Sequence, residues 1–544
     1  MSDHRPDMSP VVEMTRRRVV GPTRTSRPAY VDLLPPCNQT CPAGEDIQAW
    51  LSLAQAGKWQ QAWESLIRDN PLPAVHGRVC YHPCESACNR AELDSSVSIH
   101  AIERFLGDKA AAEGWLPPHD AAPSGKKVLI IGAGPSGLSA GYHLARLGHD
   151  VEIRDAGPLP GGMLHFGIPA YRLPRDVLMQ EIARIEAMGV RITLNHKVED
   201  VLAEKAAGGF DAVFVAIGAQ AARHVDIPAR DAAHVVSAIS LLRDASTGQA
   251  PKLGRRVVIY GAGDTAMDAA RTARRLGAQE ALIVFFSDRA HMEAHAFEAE
   301  EALSEGVKIK WLSSIRDIGA GALQVELMAL DAEGVPQPTG KFETLKADSV
   351  VLALGQHAES DFLKGIPGVE LTPDGTVLVG SDMMTGAQGL FAGGDLIPGT
   401  RTVTTAVGHG KKAARHIDGW LRALPYAAAP KHPVVGFADL HLPIYSDAKP
   451  SRQPELPAAQ RLDFAEITGG LTEAAALHEA RRCLSCGNCY ECDGCFAACP
   501  ETAIAKLGPG RGYQVDLALC TGCAACFEQC PCHAIDMIPE RTPA

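Results

Sequence analysis

The thiols of this chain are gathered at its two ends: all 16 cysteines lie before residue 89 or after residue 482, with nearly four hundred residues between. The later set contains Cys489-x2-Cys492-x2-Cys495-x3-Cys499-Pro500 and, after a spacer, Cys520-x2-Cys523-x2-Cys526-x3-Cys530-Pro531. Two runs of this spacing are the ligand pattern of paired [4Fe–4S] clusters, in which the fourth cysteine of each run crosses to the other cluster. One cluster then takes Cys489, Cys492, Cys495 and Cys530, and the other takes Cys499, Cys520, Cys523 and Cys526. A zinc site or a disulfide knot would not need the doubled run. The chemistry is one-electron transfer.

A second chemistry is written in glycine. The apolar run Val128–Ile131 leads into Gly132-Ala-Gly134-Pro-Ser-Gly137 and then a helical pattern, with Asp155 ending the next strand. Glycines at that spacing permit a tight turn and close approach of a pyrophosphate to a helix N-terminus, and the acid suits a ribose hydroxyl. The unit repeats at Arg256-Val-Val-Ile-Tyr-Gly261-Ala-Gly263-Asp264-Thr265-Ala266, with alanine at the third position. Its next strand, 281–286, runs into Ser287, Asp288 and Arg289. Two dinucleotide units in tandem imply one bound flavin, FAD, and one nicotinamide coming to it: a two-electron donor beside a cofactor that releases electrons singly. The strand-and-glycine segments ending at Gly218 and Gly355 look like crossings between the two domains, and Gly394-Asp395 looks like a late flavin-binding motif. No cysteine lies near these units, so a redox-active dithiol beside the flavin is excluded and the electrons must leave by clusters or directly to a substrate.

Stepping outward, the elements that must position these groups follow. Residues 1–30 read as a disordered, arginine-rich tail, 31–115 as a helical iron–sulfur domain, and 125–245 with 375–420 as the FAD-binding domain. Residues 246–374 read as the NAD(P)-binding domain, 424–477 as a proline- and alanine-rich linker or wrapping segment, and 478–540 as a ferredoxin-like module. The expected fold class is α/β, two Rossmann-like domains preceded by a helical domain and followed by an α+β module. No apolar run reaches membrane-spanning length, and a net charge of −12 argues against nucleic acid as a partner. So many metal-ligating thiols imply a reducing compartment, hence the cytoplasm.

The first cysteine set then indicates a family. Cys37-Asn-Gln-Thr-Cys41-Pro-Ala-Gly, Gly77-Arg-Val-Cys80-Tyr-His-Pro-Cys84-Glu-Ser-Ala-Cys88, Ile102-Glu103, Gly161-Gly162-Met163 and Tyr171-Arg172-Leu173-Pro174 resemble the glutamate synthase small subunit and the N-terminal half of dihydropyrimidine dehydrogenase. The NADPH-binding subunit of bifurcating NADH-dependent ferredoxin:NADP oxidoreductase is similar. The resemblance covers roughly 31–420 and implies two N-terminal clusters near the flavin and a partner subunit. Two departures stand out: the family's C-x-x-C upstream of Cys37 is missing, and His76 replaces a cysteine. The resemblance implies Cys41, Cys80, Cys84 and Glu103 as one ligand set, which leaves Cys37 and Cys88 without a partner pair. An all-cysteine set drawn from Cys37, Cys41, Cys80, Cys84 and Cys88 is the alternative. One N-terminal cluster is therefore expected, three in all, with no role for Cys483, Cys486 and Cys532.

The reading that follows is an FAD-dependent oxidoreductase passing electrons between NAD(P)H and [4Fe–4S] clusters. It would serve as the electron-transfer subunit of a hetero-oligomer whose catalytic partner resembles a 2-oxoacid oxidoreductase or glutamate synthase large subunit. A stand-alone NAD(P)H:ferredoxin oxidoreductase and a glutamate synthase small subunit are the alternatives. Relatives that use NADPH carry two arginines where this chain has Phe286 and Ser287, so NADH is favoured, with Arg289 the nearest cation.

Overall fold

A computed structural model of the protein describes residues 24–119, 121–222, 227, 235–442 and 447–540. Most of the expected tail, residues 1–23, lies outside the described residues. Its last part does not behave as a tail. Ser26–Tyr30 is a strand, paired antiparallel with Ile535–Pro539 from Ser26 opposite Pro539 to Tyr30 opposite Ile535. The pairing partner is five hundred residues away, so local sequence carried no sign of it.

The helical domain is built on Ile47–Gln55, Trp59–Leu66, Pro73–Val79 and Ile99–Glu113. Asp46 caps the first of these through its carboxylate and the Ala49 amide (3.2 Å). Trp50, Leu51, Trp63 and Leu66 are buried in a core that runs without a break into Val128, Leu129 and Ile130 of the first sheet. Each such side chain contributes roughly 1.5–3 kcal/mol of burial. The iron–sulfur domain and the first dinucleotide unit are thereby fastened by a shared interior.

Two five-stranded parallel sheets follow. The first runs Leu390–Ala392, Ala212–Val215, Lys127–Ile131, Asp150–Arg154, Arg191–Thr193. The second runs Lys308–Lys310, Glu280–Val284, Arg256–Tyr260, Ser349–Leu352, Val235–Ser237. Central strands buried on both faces explain the uninterrupted apolar runs of the sequence. The units match in detail: a Cβ on Gly132 (φ +109°) would lie 2.4 Å from the Ala216 carbonyl oxygen, and one on Gly261 (φ +125°) 2.2 Å from that of Ala353. Val235–Ser237 and the helix Ala238–Ser246, expected in the first domain, belong to the second. A three-residue strand is too short to announce its sheet. Ala221–Ala222 and Gln356–His357 pair antiparallel where the chain crosses between the units.

The segment after residue 424 wraps the molecule. Gln453 meets His100 (3.0 Å), Glu466 pairs with Arg78 (2.7 Å), Arg461 approaches Glu305 (3.5 Å), and His441 Nδ1 lies 2.9 Å from the Phe527 carbonyl oxygen. It leads to the helix Glu473–Arg482 and a small module in which Ile504–Lys506 pairs with Tyr513–Val515. Among the described residues, no helix is long and apolar enough to cross a membrane.

Candidate functional site

The flavin-side cleft forms at the N-terminus of the helix Pro135–Arg146. Gly134 caps it without a side-chain hydrogen bond, and proline occupies the first turn, so amides at this end have no side-chain acceptor. Gly137 opens the same helix, tight against the Gly132 carbonyl. Ser136 Oγ is buried with no partner. Asp155 accepts from the amides of Ala133 and Gly157, both at 2.7 Å, and so braces the glycine turn. Gly162, preceding Met163, approaches from one side: a Cβ there would lie 3.0 Å from Gly134 Cα. Gly394 approaches from another, its notional Cβ 3.1 Å from Ser136 Cβ. Burial raises the neighbouring Asp395 carboxyl, with Arg401 opposing. A glycine-lined cradle, free helix amides and a buried hydroxyl fit the diphosphate of FAD, and the half-buried Asp395 carboxyl suits a hydroxyl of the same nucleotide.

The second turn places Gly261 and Gly263 before the helix Asp264–Arg275, with Thr265 in its first turn. Asp264 accepts from the His295 amide (2.9 Å) and pairs with its ring (3.0 Å), and that ring stacks on Tyr81 of the helical domain (3.5 Å). Beyond the next strand Asp288 accepts from His291, while Phe286 and Arg289 are exposed. Gly218 and Gly355 take positive φ (70° and 95°) at the crossing between the sheets. Arg172 pairs with Asp268 (2.7 Å), and the Tyr171 hydroxyl donates to the same carboxylate (3.2 Å). This buried contact fixes a loop of the first unit against the helix of the second.

The five early cysteines fall into two voids. Cys41, Cys80 and Cys84 line one of about 290 Å³ with Glu103, Glu45, His76 and Thr404. The helices that bring them there pack backbone to backbone: a Cβ on Gly107 would lie 2.4 Å from the Ala74 amide nitrogen. Thr404 donates to Cys80 Sγ (3.0 Å) from the helix Val403–Leu421, which follows Gly394-Asp395 and so links this void to the flavin cleft. The Asn70 amide nitrogen sits 2.7 Å from Glu103 Oε1, 3.0 Å from Glu45 Oε1 and 2.7 Å from His76 Nδ1. His76 Nε2 is buried without a partner. Burial pushes Glu45 up to about 7, Cys80 up to about 12, and Glu103 well above the carboxylate range. Three thiols and a carboxyl that lose protons on ligation fit an iron–sulfur cluster.

Cys37 and Cys88 are not left alone. They line a second void of about 370 Å³ together with Cys483 and Cys486. A single all-cysteine set drawn from the five early residues is therefore not what the fold assembles. The signal was present in the sequence, because Cys483-x2-Cys486 has the spacing of the pair missing upstream of Cys37.

In the terminal module Cys499, Cys520, Cys523 and Cys526 line a third void of about 330 Å³. Cys489, Cys492, Cys495 and Cys530 gather separately, each thiol within electrostatic reach of others in the set. Cys499 thus lies with the second run and Cys530 with the first. Cys532 Sγ lies 3.8 Å from Cys530 Sγ, and this contact holds the Cys530 thiol below its ordinary value. The strand Ser26–Tyr30 completes the module: Tyr30 reaches Cys495 Sγ (3.3 Å), and Arg24 donates to the Cys520 carbonyl (2.9 Å).

Comparison with known proteins agrees with this layout. A family described as pyridine nucleotide-disulphide oxidoreductase matches residues 126–410, and one described as dihydropyrimidine dehydrogenase domain II, 4Fe-4S cluster, matches 32–115. The beta subunit of an NADP(+)-dependent formate dehydrogenase from Moorella thermoacetica is 36% identical, over 83% of this chain and 70% of that protein. The beta subunit of an NADPH-Fe(3+) oxidoreductase from Geobacter sulfurreducens is 32% identical, over 83% and 75%. The glutamate synthase [NADPH] small chain of Escherichia coli is 34% identical, over 71% and 89%. The chain belongs to the pyridine nucleotide-disulphide oxidoreductase family, in the group that joins FAD- and NAD(P)-binding units to iron–sulfur domains.

Proposed function

We propose that this NAD(P)H-dependent oxidoreductase is the electron-transfer subunit of a hetero-oligomer, exchanging electrons with a partner polypeptide that carries the substrate chemistry. The observation that carries this reading is a series of thiol sites. It starts at Thr404 beside the flavin cleft and ends at Cys489, Cys492 and Cys523, which are exposed. Bound here, the nicotinamide supplies a hydride, the flavin divides an electron pair, and the clusters carry electrons one at a time.

The chain's own residues position rather than react. Helix amides after Gly134 and Gly263 receive the dinucleotide phosphates, Ser136 and Asp395 take up polar groups of the flavin nucleotide, and Gly162 leaves room for it. The buried Arg172–Asp268 pair holds the two units in register, and positioning carries the hydride step without a side-chain acid or base. Cys41, Cys80, Cys84 and Glu103 hold the cluster nearest the flavin unit. The two crossed cysteine sets hold the terminal pair.

Between nucleotides we assign preference to NADH. The relatives named above use NADP(H), but here the strand end presents Phe286 and the Asp288 carboxylate, with Arg289 the nearest cation, where the resemblance implies two arginines for a 2′-phosphate.

Purification of the tagged chain from its native source tests the assignment. A stoichiometric partner is expected, and the chain alone should oxidise NAD(P)H with an artificial dye. A chain that purifies alone and reduces ferredoxin as fast as it reduces the dye would overturn the subunit reading in favour of a stand-alone ferredoxin oxidoreductase.

A further inference from the structure

We propose that Cys37, Cys88, Cys483 and Cys486 hold a [4Fe–4S] cluster, so that the last domain of the chain closes a metal site begun in the first. These four thiols line one void, and the rest of its wall is largely apolar, including Leu51, Val97 and Ile99. Two donors are already aimed at the sulfurs: Asn89 Nδ2 reaches Cys486 Sγ (3.5 Å), and the Ser485 amide reaches Cys483 Sγ (3.4 Å). Such bonds orient ligands and tune a cluster's potential.

The approach of the C-terminal pair is built in, not incidental. Arg482, the residue before Cys483, is 2% exposed and pairs with Asp94 (3.0 Å). It also donates to the carbonyls of Ser95 (2.8 Å) and Ser96 (3.0 Å). In return Arg90 donates to the Arg482 carbonyl (2.9 Å).

The occupant is a cluster rather than a zinc ion. Tetrahedral Zn–S bonds of about 2.3 Å would draw the sulfurs to roughly 3.8 Å of one another. Among the described residues, the groups of three or more donors within 4.8 Å are His82–Glu85–His100 and Glu45–His76–Glu103, neither with a cysteine.

Placement then gives the site its role, which rests on the function proposed above. Cys37 lies one helical turn from Cys41, whose amide donates to it (3.2 Å), a rise of about 6 Å. Cys88 lies four residues from Cys84, and Cys486 lies three from Cys489, at most about 11 Å along an extended chain. The site therefore joins the Glu103 set to the terminal pair. When loaded, it would pass one electron at a time with no bond made or broken, one neighbouring site being oxidised as this one is reduced.

Iron, sulfide and zinc analysis of the full-length protein, reconstituted anaerobically, tests the site. About sixteen irons per chain are expected, four per cubane, and twelve without this site. The double variant Cys483→Ser/Cys486→Ser should lose about four irons and keep its FAD, whereas Cys532→Ser should keep all of its iron. Wild-type protein with about twelve irons, one zinc per chain, or a double variant with full iron would each overturn the site. The wild-type count stands even if the variant does not fold. The relay is read separately. In the double variant dithionite should reduce the terminal clusters while NAD(P)H does not; reduction by NAD(P)H at the wild-type rate would overturn the relay and leave the site intact.

Discussion

Arg482 offers a sharp test of how the terminal domain is held. Its guanidinium pairs with Glu479 (2.8 Å) and Asp94 (3.0 Å), and Glu479 has no exposed surface. Arg482→Met keeps the buried stem and removes the charge. Removing one partner of a buried ion pair costs about 3–5 kcal/mol. Asp94 retains Arg90 (2.8 Å) and Glu479 retains the Ser98 amide (3.1 Å), so the lower end applies. About 3 kcal/mol raises the local opening constant roughly a hundredfold. Native-state hydrogen exchange read by mass spectrometry should show that loss of protection in Glu473–Arg482. The strand Lys127–Ile131 should stay within about twofold of wild type, because it is paired on both sides in the first sheet and local opening of Glu473–Arg482 breaks none of those hydrogen bonds. Unchanged protection across Glu473–Arg482 would refute the reasoning, and would mean that desolvation of these charges offsets their pairing.

Three further outcomes are expected. Cys523→Ser should remove about four irons while NAD(P)H still reduces the flavin at the wild-type rate, since Cys523 lies in the terminal module; collapse of flavin reduction in a folded variant would contradict the linear path. Phe286→Arg, at an exposed strand end, should raise the NADPH:NADH ratio of kcat/KM about tenfold or more by supplying a charge-assisted contact of about 1.5–3 kcal/mol; an unchanged ratio would place the 2′-phosphate elsewhere. Burial holds His165 down to about 4, against an unfolded value of about 6.5. The unfolded chain therefore takes up a proton first as pH falls, and this stability is complete above about 6.5 and lost towards 4. His165→Gln should flatten that part of a thermal-stability profile, and an identical slope in both proteins would exclude His165 as its source.

The parts legible in the sequence were those whose signal is local. Gly132, Gly134 and Gly137 sit at a strand–helix turn in both the sequence and the fold, and the crossed sets at Cys489–Cys530 and Cys499–Cys526 follow from spacing alone. What escaped was built from distant pieces. Cys37 and Cys88 looked unpartnered because their companions lie beyond residue 482, and Ser26–Tyr30 looked like a tail because its strand partner begins at Ile535. Thr404 carries no motif and is recognised only by its hydrogen bond to Cys80. A domain boundary at residue 245 leaves Val235–Ser237 on the wrong side, because three residues set no period and only the pairing with the second sheet reveals it.

The pairing of Ser26–Tyr30 with Ile535–Pro539 bears on how the protein is made. A ribosome adding about 5–20 residues per second needs roughly 20–80 s to travel from Cys88 to Cys483. Within that interval the first dinucleotide unit is made and can pack on the helical domain through their shared core. Cys37 and Cys88, in contrast, lack their companions, and the first strand has no edge to join. Filling of the void shared with Cys483 and Cys486, and closure of the terminal module on the first strand, must therefore wait for the last domain, whereas the set of Cys41, Cys80, Cys84 and Glu103 is complete early; a product truncated before residue 483 would have its nucleotide units yet never finish its electron path.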